Sequence, residues 1–326
     1  MLPSFPMPPD YTLRAPTEAD IPAILALIYA HDMASMEQPD IYTEDSILSD
    51  WEELDRSTDT WVLLAPDGMI AAYATVTAKL PTGRIFADGY VHPSHNARGL
   101  GSLIVALTEA RAHELLATFP SDVCVRLVNN VVATSEVACR LLESHHYELT
   151  RAYFFMGIAL DGSSPQPVWP DALTVRTCDG SPEDIYRAYE TIEDGFRDHW
   201  AHDPQPFEDW QRLMVRDGFD PSLWFLVQQG DEIVAAALSR LPDEHSAWVH
   251  QLAVRRPWRR RGLGAALLYH IFHSFYPRGI SHVALSVDAQ SLTGANRLYE
   301  RVGMHVTLRI GRYEKELQPG RDLQPA

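Results

Sequence analysis

A short glycine-bearing turn occurs twice in this chain at a wide, fixed interval, and that recurrence constrains the fold more than any other feature. The first copy is Asn96-Ala97-Arg98-Gly99-Leu100-Gly101-Ser102; the second is Arg259-Arg260-Arg261-Gly262-Leu263-Gly264-Ala265. Gly99 and Gly262 stand 163 residues apart, as do Ile70 and Ile233, while Arg14 and Arg176 stand 162 apart. Three landmarks at one spacing argue for a duplicated domain. A chain of 326 residues has room for two domains of ordinary size, so each half has to be read against the other.

The halves follow one plan. In the first, Tyr11–Arg14 reads as a short strand and Ile21–Ile28 as a helix with Pro22 in its first turn. A more polar helical region runs from Met33 to Arg56. Trp61–Ala65 and Met69–Thr77 read as strands around the turn Pro66-Asp67-Gly68, followed by the strand Arg84–Val91, the glycine turn and a helical run from Leu103 to Leu116. In the second half, Thr174–Arg176, the helix Asp184–Phe196, the strands Trp224–Val227 and Glu232–Leu238, the strand Trp248–Val254 and the glycine turn repeat that order. The Gly-, Ser- and Pro-rich stretch between them suits a linker. The expected organisation is a first domain over 11–160, a linker over 161–171 and a second domain over 172–317. Composition and periodicity alone reach no further than α/β or α+β.

The second turn is built for an anion. A strand feeds it, three arginines occupy it and an apolar helix opens from it. Glycine lets the backbone come close to a ligand. The free N–H groups and dipole of a helix start attract negative charge, and arginine adds charge-assisted bonds. Phosphate or pyrophosphate is the natural guest. A P-loop would need Lys-Ser/Thr where Ala265-Ala266 stand, and the dinucleotide fingerprint would need a third glycine where Leu267 stands. The plainer alternative for such a turn is a solvated helix start.

What remains is Arg259-x-x-Gly262-x-Gly264 after a strand. Downstream lie the strand-like Val283–Asp288 and then Ala295-Asn-Arg-Leu298-Tyr299-Glu-Arg-Val-Gly303-Met304. Together these resemble the acetyl-CoA loop and the Ala-x-x-Leu-Tyr-Glu-x-x-Gly-Phe signature of the GCN5-related N-acetyltransferase superfamily. The tandem arrangement is similar to that of mycothiol synthases. The resemblance implies an α/β (α+β) fold of two tandem domains, each a mixed, mostly antiparallel sheet flanked by helices. The acyl-pantetheine of the co-substrate, acetyl-CoA, would slip between two splayed parallel strands, with no metal. It further implies cofactor contacts from Leu252, Ala253, Val254, Arg259, Arg260, Arg261, Gly262, Leu263, Gly264, Ala265 and Ser291. Tyr90, Val91, Arg98, Gly99, Leu100, Gly101 and Ser102 are their counterparts in the first half. Ser291 stands nearest to the asparagine the family often carries before its last signature helix, and His145-His146 replaces the Gly-Phe end of the signature in the first half.

The halves part company where acetyl transfer needs an acid. A leaving thiolate is better off protonated, and a tyrosine hydroxyl can supply the proton. The resemblance assigns that role to Tyr299; the matching residue of the first half is Leu142, which has no proton to give. The second half is therefore the expected catalytic one. The base is less determined. Glu193 is the candidate, with Asp194 and His199 beside it; each is equally a member of a solvated acidic helix end. Glu244, His245 and His250 form a second set. Phe207, Trp210, Trp224 and Trp200 could line an acceptor pocket or simply fill core. His199 and His202 share a helical spacing that alone falls short of a zinc site. Glu37, Asp40 and Glu44 occupy the matching region of the first half.

Charge and cysteine content narrow the partners. A net charge of −17 disfavours nucleic acid and suits a cationic amine. Three widely spaced cysteines suggest neither a disulfide framework nor a metal site. No apolar run approaches a membrane span, and the N-terminus lacks the pattern of a signal peptide. The expectation is a cytoplasmic N-acetyltransferase, monomer or homodimer, that acts on a small-molecule primary amine in a ternary complex. Its rivals are a mycothiol-synthase-like enzyme acting on a cysteinyl pseudodisaccharide and a non-catalytic acetyl-CoA sensor.

Overall fold

The computed structural model describes residues 7–36, 42–52, 54–170, 172–197, 204–215, 219–291 and 294–323. In chain order the elements are β1 (Thr12–Arg14), α1 (Ile21–Met33), α2 (Glu44–Glu52), α3 (Arg56–Asp59), β2 (Thr60–Leu64), β3 (Ile70–Lys79), β4 (Arg84–Val91), α4 (Leu100–Leu115), β5 (Val125–Val132), α5 (Glu136–Ser144) and β6 (Glu148–Ala159). They continue as β7 (Thr174–Thr177), α6 (Pro182–Phe196), α7 (Phe207–Met214), β8 (Trp224–Gln229), β9 (Glu232–Arg240), β10 (Ser246–Val254), α8 (Leu263–Phe275), β11 (His282–Asp288), α9 (Ala295–Arg301) and β12 (His305–Gln318). Among the described residues no helix is long and apolar enough to cross a membrane.

The chain forms two units, but their boundaries are not those expected at 160 and 317. The first unit comprises Met1–Ala152 together with Arg309–Gln324; the second contains Tyr153–Leu308. Each borrows a strand from the other half of the sequence. In the second unit the strands run β7-β8-β9-β10-β11 and are completed by the end of β6, where Tyr153–Ala159 pair antiparallel with Asp288–His282. In the first they run β1-β2-β3-β4-β5 and are completed by β12, where Ile310–Gln318 pair with Val132–Val125. The alternating patterns of β6 and β12 predict two strands but not the partner of each, because pairing is non-local. Residues 161–170 are likewise no free linker. His273 Nε2–H donates to Pro165 O at 3.0 Å, and Trp169 packs edge-on against His270, so this stretch lies along α8.

Within each unit one neighbouring pair is parallel, β4 with β5 and β10 with β11; the other pairs whose register is defined are antiparallel. The duplication reaches fine detail. Ala71 and Val234 are both extra residues in their ladders, 163 positions apart. Arg14 forks onto both oxygens of Asp20 at 2.7 Å, and Arg176 likewise clasps Asp184 at the start of α6. These arginines are structural: each fixes the first strand to the helix that follows.

The first unit is closed by charge as well as by apolar packing. Arg84 is 1% exposed and reaches both carboxylate oxygens of Asp322 at 3.0 and 3.1 Å. Glu314, also buried, takes Arg312 at 2.6 Å and Arg126 at 3.3 Å. Removing a partner from such a network leaves a buried charge uncompensated, so β12 is bound into this unit by more than its ladder.

Candidate active site

The parallel neighbours β10 and β11 pair only at their beginnings, Ser246–Trp248 with His282–Ala284. Beyond Trp248 they diverge, while β10 stays paired to β9 as far as Val254 and β11 to β6 as far as Asp288. An open gap results, edged by backbone. Its edge is shaped by a bulge: Val249 faces Ser239 and Gln251 faces Leu238, so His250 is an extra residue in β10. A bulge bends its strand and raises its twist. It also turns His250 out to solvent rather than into the core. Past the bulge, Arg255 N–H donates to Val234 O on the β9 side. Strand alternation then aims the N–H groups of Leu252 and Val254 the other way, into the gap. Ala253 faces α6.

The glycine turn lies at the open end of that gap. Gly262 caps α8 with φ +85°, a left-handed conformation cheap only for glycine. Arg260 shares it at φ +60°. The second glycine has another purpose: a Cβ on Gly264 would stand 2.7 Å from Leu298 Cδ2, so its bareness lets α9 press on the first turn of α8. Leu263 is buried beneath, and the first-turn N–H groups of α8 remain for a ligand. Arg260 and Arg261 are exposed beside them, Arg261 stacked over Trp258 at 4.7 Å. Arg259, expected to face phosphate, turns inward. Its Nε–H donates to Val254 O at 3.1 Å and its Nη2 to Gly195 O at 2.8 Å.

Tyr299 sits on α9, one residue after the leucine that touches Gly264, and is 8% exposed. Burial disfavours the phenolate and pushes its pKa up to about 12, so the hydroxyl keeps its proton across the neutral range. Ser291 lies in the turn after β11, with its N–H on Asp288 O. Sequence reasoning missed Asn296. Its amide nitrogen spans Asp288 O and Ala289 O at 3.3 and 2.9 Å, and its buried Oδ1 has no partner among the described residues. An asparagine in a helix's first turn was the available hint.

The far wall is α6. Ser181 caps it, Pro182 starts it and Asp184 is clasped by Arg176. Its last turn brings Gly195 against β10, where a Cβ would lie 2.5 Å from that of Ala253. Glu193 is half-buried one turn after Tyr189, whose pKa it helps to raise behind the larger effect of burial. Tyr189 adjoins Phe207 and Trp210, and Trp210 Nε1–H donates to Gln251 at the bulge. Glu193 is thus on the helix face that meets the bulged strand. Asp194 lies 3.2 Å from Arg197 and 3.9 Å from Arg255. Trp210 and Trp224 are core at 2% exposure each. Glu244 and His245 form an exposed pair at the opposite end of β10, roughly 25 Å of strand away from the turn. His199, Trp200, His202, Glu37 and Asp40 lie outside the described residues, and Glu44 opens α2. Cys178, Asp179 and Asp184 offer ligand atoms within 4.8 Å of one another, but the Arg176 fork already engages both Asp184 oxygens.

Comparison with known proteins agrees with this geometry. The profile of the Acetyltransferase (GNAT) family matches residues 184–304, a stretch holding the gap, the turn and Tyr299. A crystal structure of a GCN5-related N-acetyltransferase from Sphaerobacter thermophilus is 38% identical, with a TM-score of 0.84 over 97% of this chain and 98% of that one. This chain belongs to the GCN5-related N-acetyltransferase family. A mycothiol acetyltransferase from Saccharopolyspora erythraea is 27% identical over 81% of this chain and 86% of its own length. A tandem GNAT protein from the clavulanic acid biosynthesis pathway shares the fold at 14% identity, with a TM-score of 0.71. The expected tandem GNAT architecture is the observed one, and acetyl-CoA is the acetyl donor of the family.

Within this N-acetyltransferase the first unit keeps part of the site. Its turn repeats the backbone, with Ala97 at φ +60° and Gly99 at φ +81°, and Gly101 packs against Leu141 as Gly264 does against Leu298. Leu100 is buried like Leu263, and Ser102 follows in the first turn of α4. β4 and β5 also part early, pairing only over Arg84–Phe86. The differences lie at the chemistry. β4 has no bulge, running unbroken against β3 from Arg84 to Val91. Leu142 is buried where the second unit has Tyr299. Arg98 bonds the Tyr11 hydroxyl at 3.2 Å, Tyr90 packs on Tyr73 and His31, and His31 Nδ1–H donates to Val91 O.

Proposed function

We propose that this acetyltransferase moves the acetyl group of acetyl-CoA to a primary amine of a small molecule, by direct attack in a ternary complex, and that the second unit is the catalytic one. The observation that carries the reading is the coincidence, in one unit, of the bulged and splayed β10, the open turn at its end and the buried, protonated Tyr299. Arg260, Arg261 and the first-turn N–H groups of α8 bind the pyrophosphate. The acyl-pantetheine lies in the gap, and the N–H of Leu252 meets the thioester oxygen as charge develops on it, while that of Val254 is left for the pantetheine. Glu193 takes a proton from the ammonium through water. The amine nitrogen bonds to the acetyl carbon, the C–S bond breaks, Tyr299 protonates the departing sulfur, and the second proton shed by the nitrogen passes to solvent, from which Tyr299 is reprotonated.

A second acceptor reading rests on the relatives: several curated proteins similar to this chain carry the name mycothiol acetyltransferase. A cysteinyl pseudodisaccharide is therefore tested beside simple amines, polyamines, amino acids and aminoglycosides. The assay is acetyl-CoA-dependent thiol release, with wild type and Tyr299→Phe side by side. The expected result is turnover with one amine class and a kcat lower by roughly 10²–10⁴-fold in the variant. Turnover untouched by the substitution removes Tyr299 from the mechanism. Tight acetyl-CoA binding without turnover of any amine supports the sensor alternative.

A further inference from the structure

Arg259 occupies the position from which a phosphate contact was expected, yet its guanidinium faces away from the exposed side of the turn. Two of its nitrogens are spent on carbonyls from different elements: Nε on Val254 O, at the end of β10, and Nη2 on Gly195 O, in the last turn of α6. Those two ends are already as close as backbone permits, because Gly195 has no Cβ to hold it off Ala253. Arg255 works on the same junction, with Nε on Ile233 O at 2.7 Å and Nη1 3.9 Å from Asp194. The first unit solves the matching problem differently. Asn96 replaces Arg259, and His31 replaces Gly195 when α1 and α6 are matched from the aspartates that Arg14 and Arg176 clasp. The carbonyl of Val91, at the place of Val254, is taken by His31 from α1 at 3.1 Å. The bridge from turn to helix thus belongs to the unit with the bulge and the tyrosine.

We propose that Arg259 is a positioning residue: by bridging Val254 O and Gly195 O it fixes the end of α6, and with it Glu193, at a set distance from the strand edge where the thioester lies. This rests on the amine-transfer reading above. A planar guanidinium holds two separate carbonyls at once with a fixed geometry; an ammonium's three donors radiate from one nitrogen and lack that spread. Arg259 would then govern the acceptor side of the reaction, although its place in the sequence is on the cofactor side.

The test uses the full chain with Arg259→Ala and Arg259→Lys. It measures acetyl-CoA affinity by titration calorimetry, amine kinetics by thiol release, and amide hydrogen exchange along α6. The expected result is an unchanged acetyl-CoA Kd and a kcat/KM for the amine lower by on the order of 10²-fold, the scale of a misplacement of about 1 Å. Exchange should quicken in the last turn of α6, and millimolar guanidinium should restore part of the alanine variant's rate. Lysine should recover less than guanidinium does. An acetyl-CoA Kd weakened tenfold or more with amine kinetics intact would make Arg259 a phosphate ligand and overturn the proposal, as would no change in either. Should the alanine variant not fold, the same comparison is read from the lysine variant. If wild type acetylates no amine, the functional reading fails first, while the Kd and the exchange at α6 still judge the bridge.

Discussion

Gly195→Ala is the most direct probe of how closely the two walls of the site must approach. The added Cβ would stand 2.5 Å from Ala253 Cβ and 3.5 Å from Val254 N. Carbon atoms rest at about 3.5–4.0 Å, so α6 and β10 must part by roughly 1 Å or more. Two stability terms oppose each other. Overpacking costs about 1–3 kcal/mol, and replacing a helical glycine by alanine returns about 1 kcal/mol. The net loss is about 0–2 kcal/mol, a fall in Tm of no more than roughly 8 °C for a unit of this size. Function is affected far more than folding. A misplacement of that scale costs on the order of 10²-fold in rate, and the shift also strains the bond from Arg259 to Gly195 O. The assay pairs a thermal melt with kcat and KM for the best amine of the thiol-release panel. A variant that melts within this range but has lost about two orders of magnitude in kcat/KM fits the reasoning. One that folds and turns over like wild type would refute it, since α6 would then have no distance to keep.

Ending the chain after Leu308 should unfold the first unit: it strips the partner strand from β5 and leaves Arg84 buried without Asp322 or Glu314, about 3–5 kcal/mol for the broken charge network alone; circular dichroism and solubility of that fragment check it, and a wild-type melt would count against the exchanged-strand picture. Deleting His250 should make β10 regular like β4 and abolish turnover while the fold persists, which kinetics and a thermal melt can read together. The Arg176 guanidinium holds the Asp184 carboxyl below its ordinary range. The stability it adds is therefore present above the unfolded value of about 3.9 and is lost as pH falls through the depressed folded value. Asp184→Asn should lower stability at neutral pH by about 1–2 kcal/mol, allowing for partial exposure of Arg176, and should flatten the decline in Tm below about pH 4.

The local plan could be read from the sequence because it is local. Gly262 and Gly264 and the helix they open show in the spacing, the Ala295–Gly303 stretch shows by its resemblance to the family signature, and the repeat carries the reading to Gly99 and Gly101. Three features escaped for a shared reason: each depends on what a residue meets across space. The bulge at His250 exists only relative to Ser239 and Leu238 on β9. The inward turn of Arg259 exists only because Gly195 brings a carbonyl within reach. The exchange of β6 and β12 is a choice of partner between two similar sheets, which alternation along either strand cannot encode. Glu193 is the acid proposed as base out of several in sequence; it lies one helical turn from Tyr189, whose pKa it helps to raise behind the larger effect of burial.

The exchanged strands also bear on why the first half matters to an enzyme whose bulge, and whose proposed acid and bridge, all lie in the second. A gap between parallel strands is costly: β11 gives up its ladder with β10 beyond Ala284 and, if its other edge were also bare, would have nothing to hold it apart from its neighbour. That other edge is paired along all seven residues, His282–Asp288, by the end of β6. The strand that holds β11 in its splayed course therefore comes from the first half of the sequence. Leu142 stands in place of Tyr299, and the Tyr11 contact of Arg98 engages one basic side chain of the first unit's turn internally. What the first half of the sequence brings to the second unit is structural. Tyr153–Ala159 hold open one side of the site, so the two halves cannot be separated and the second expected to work alone.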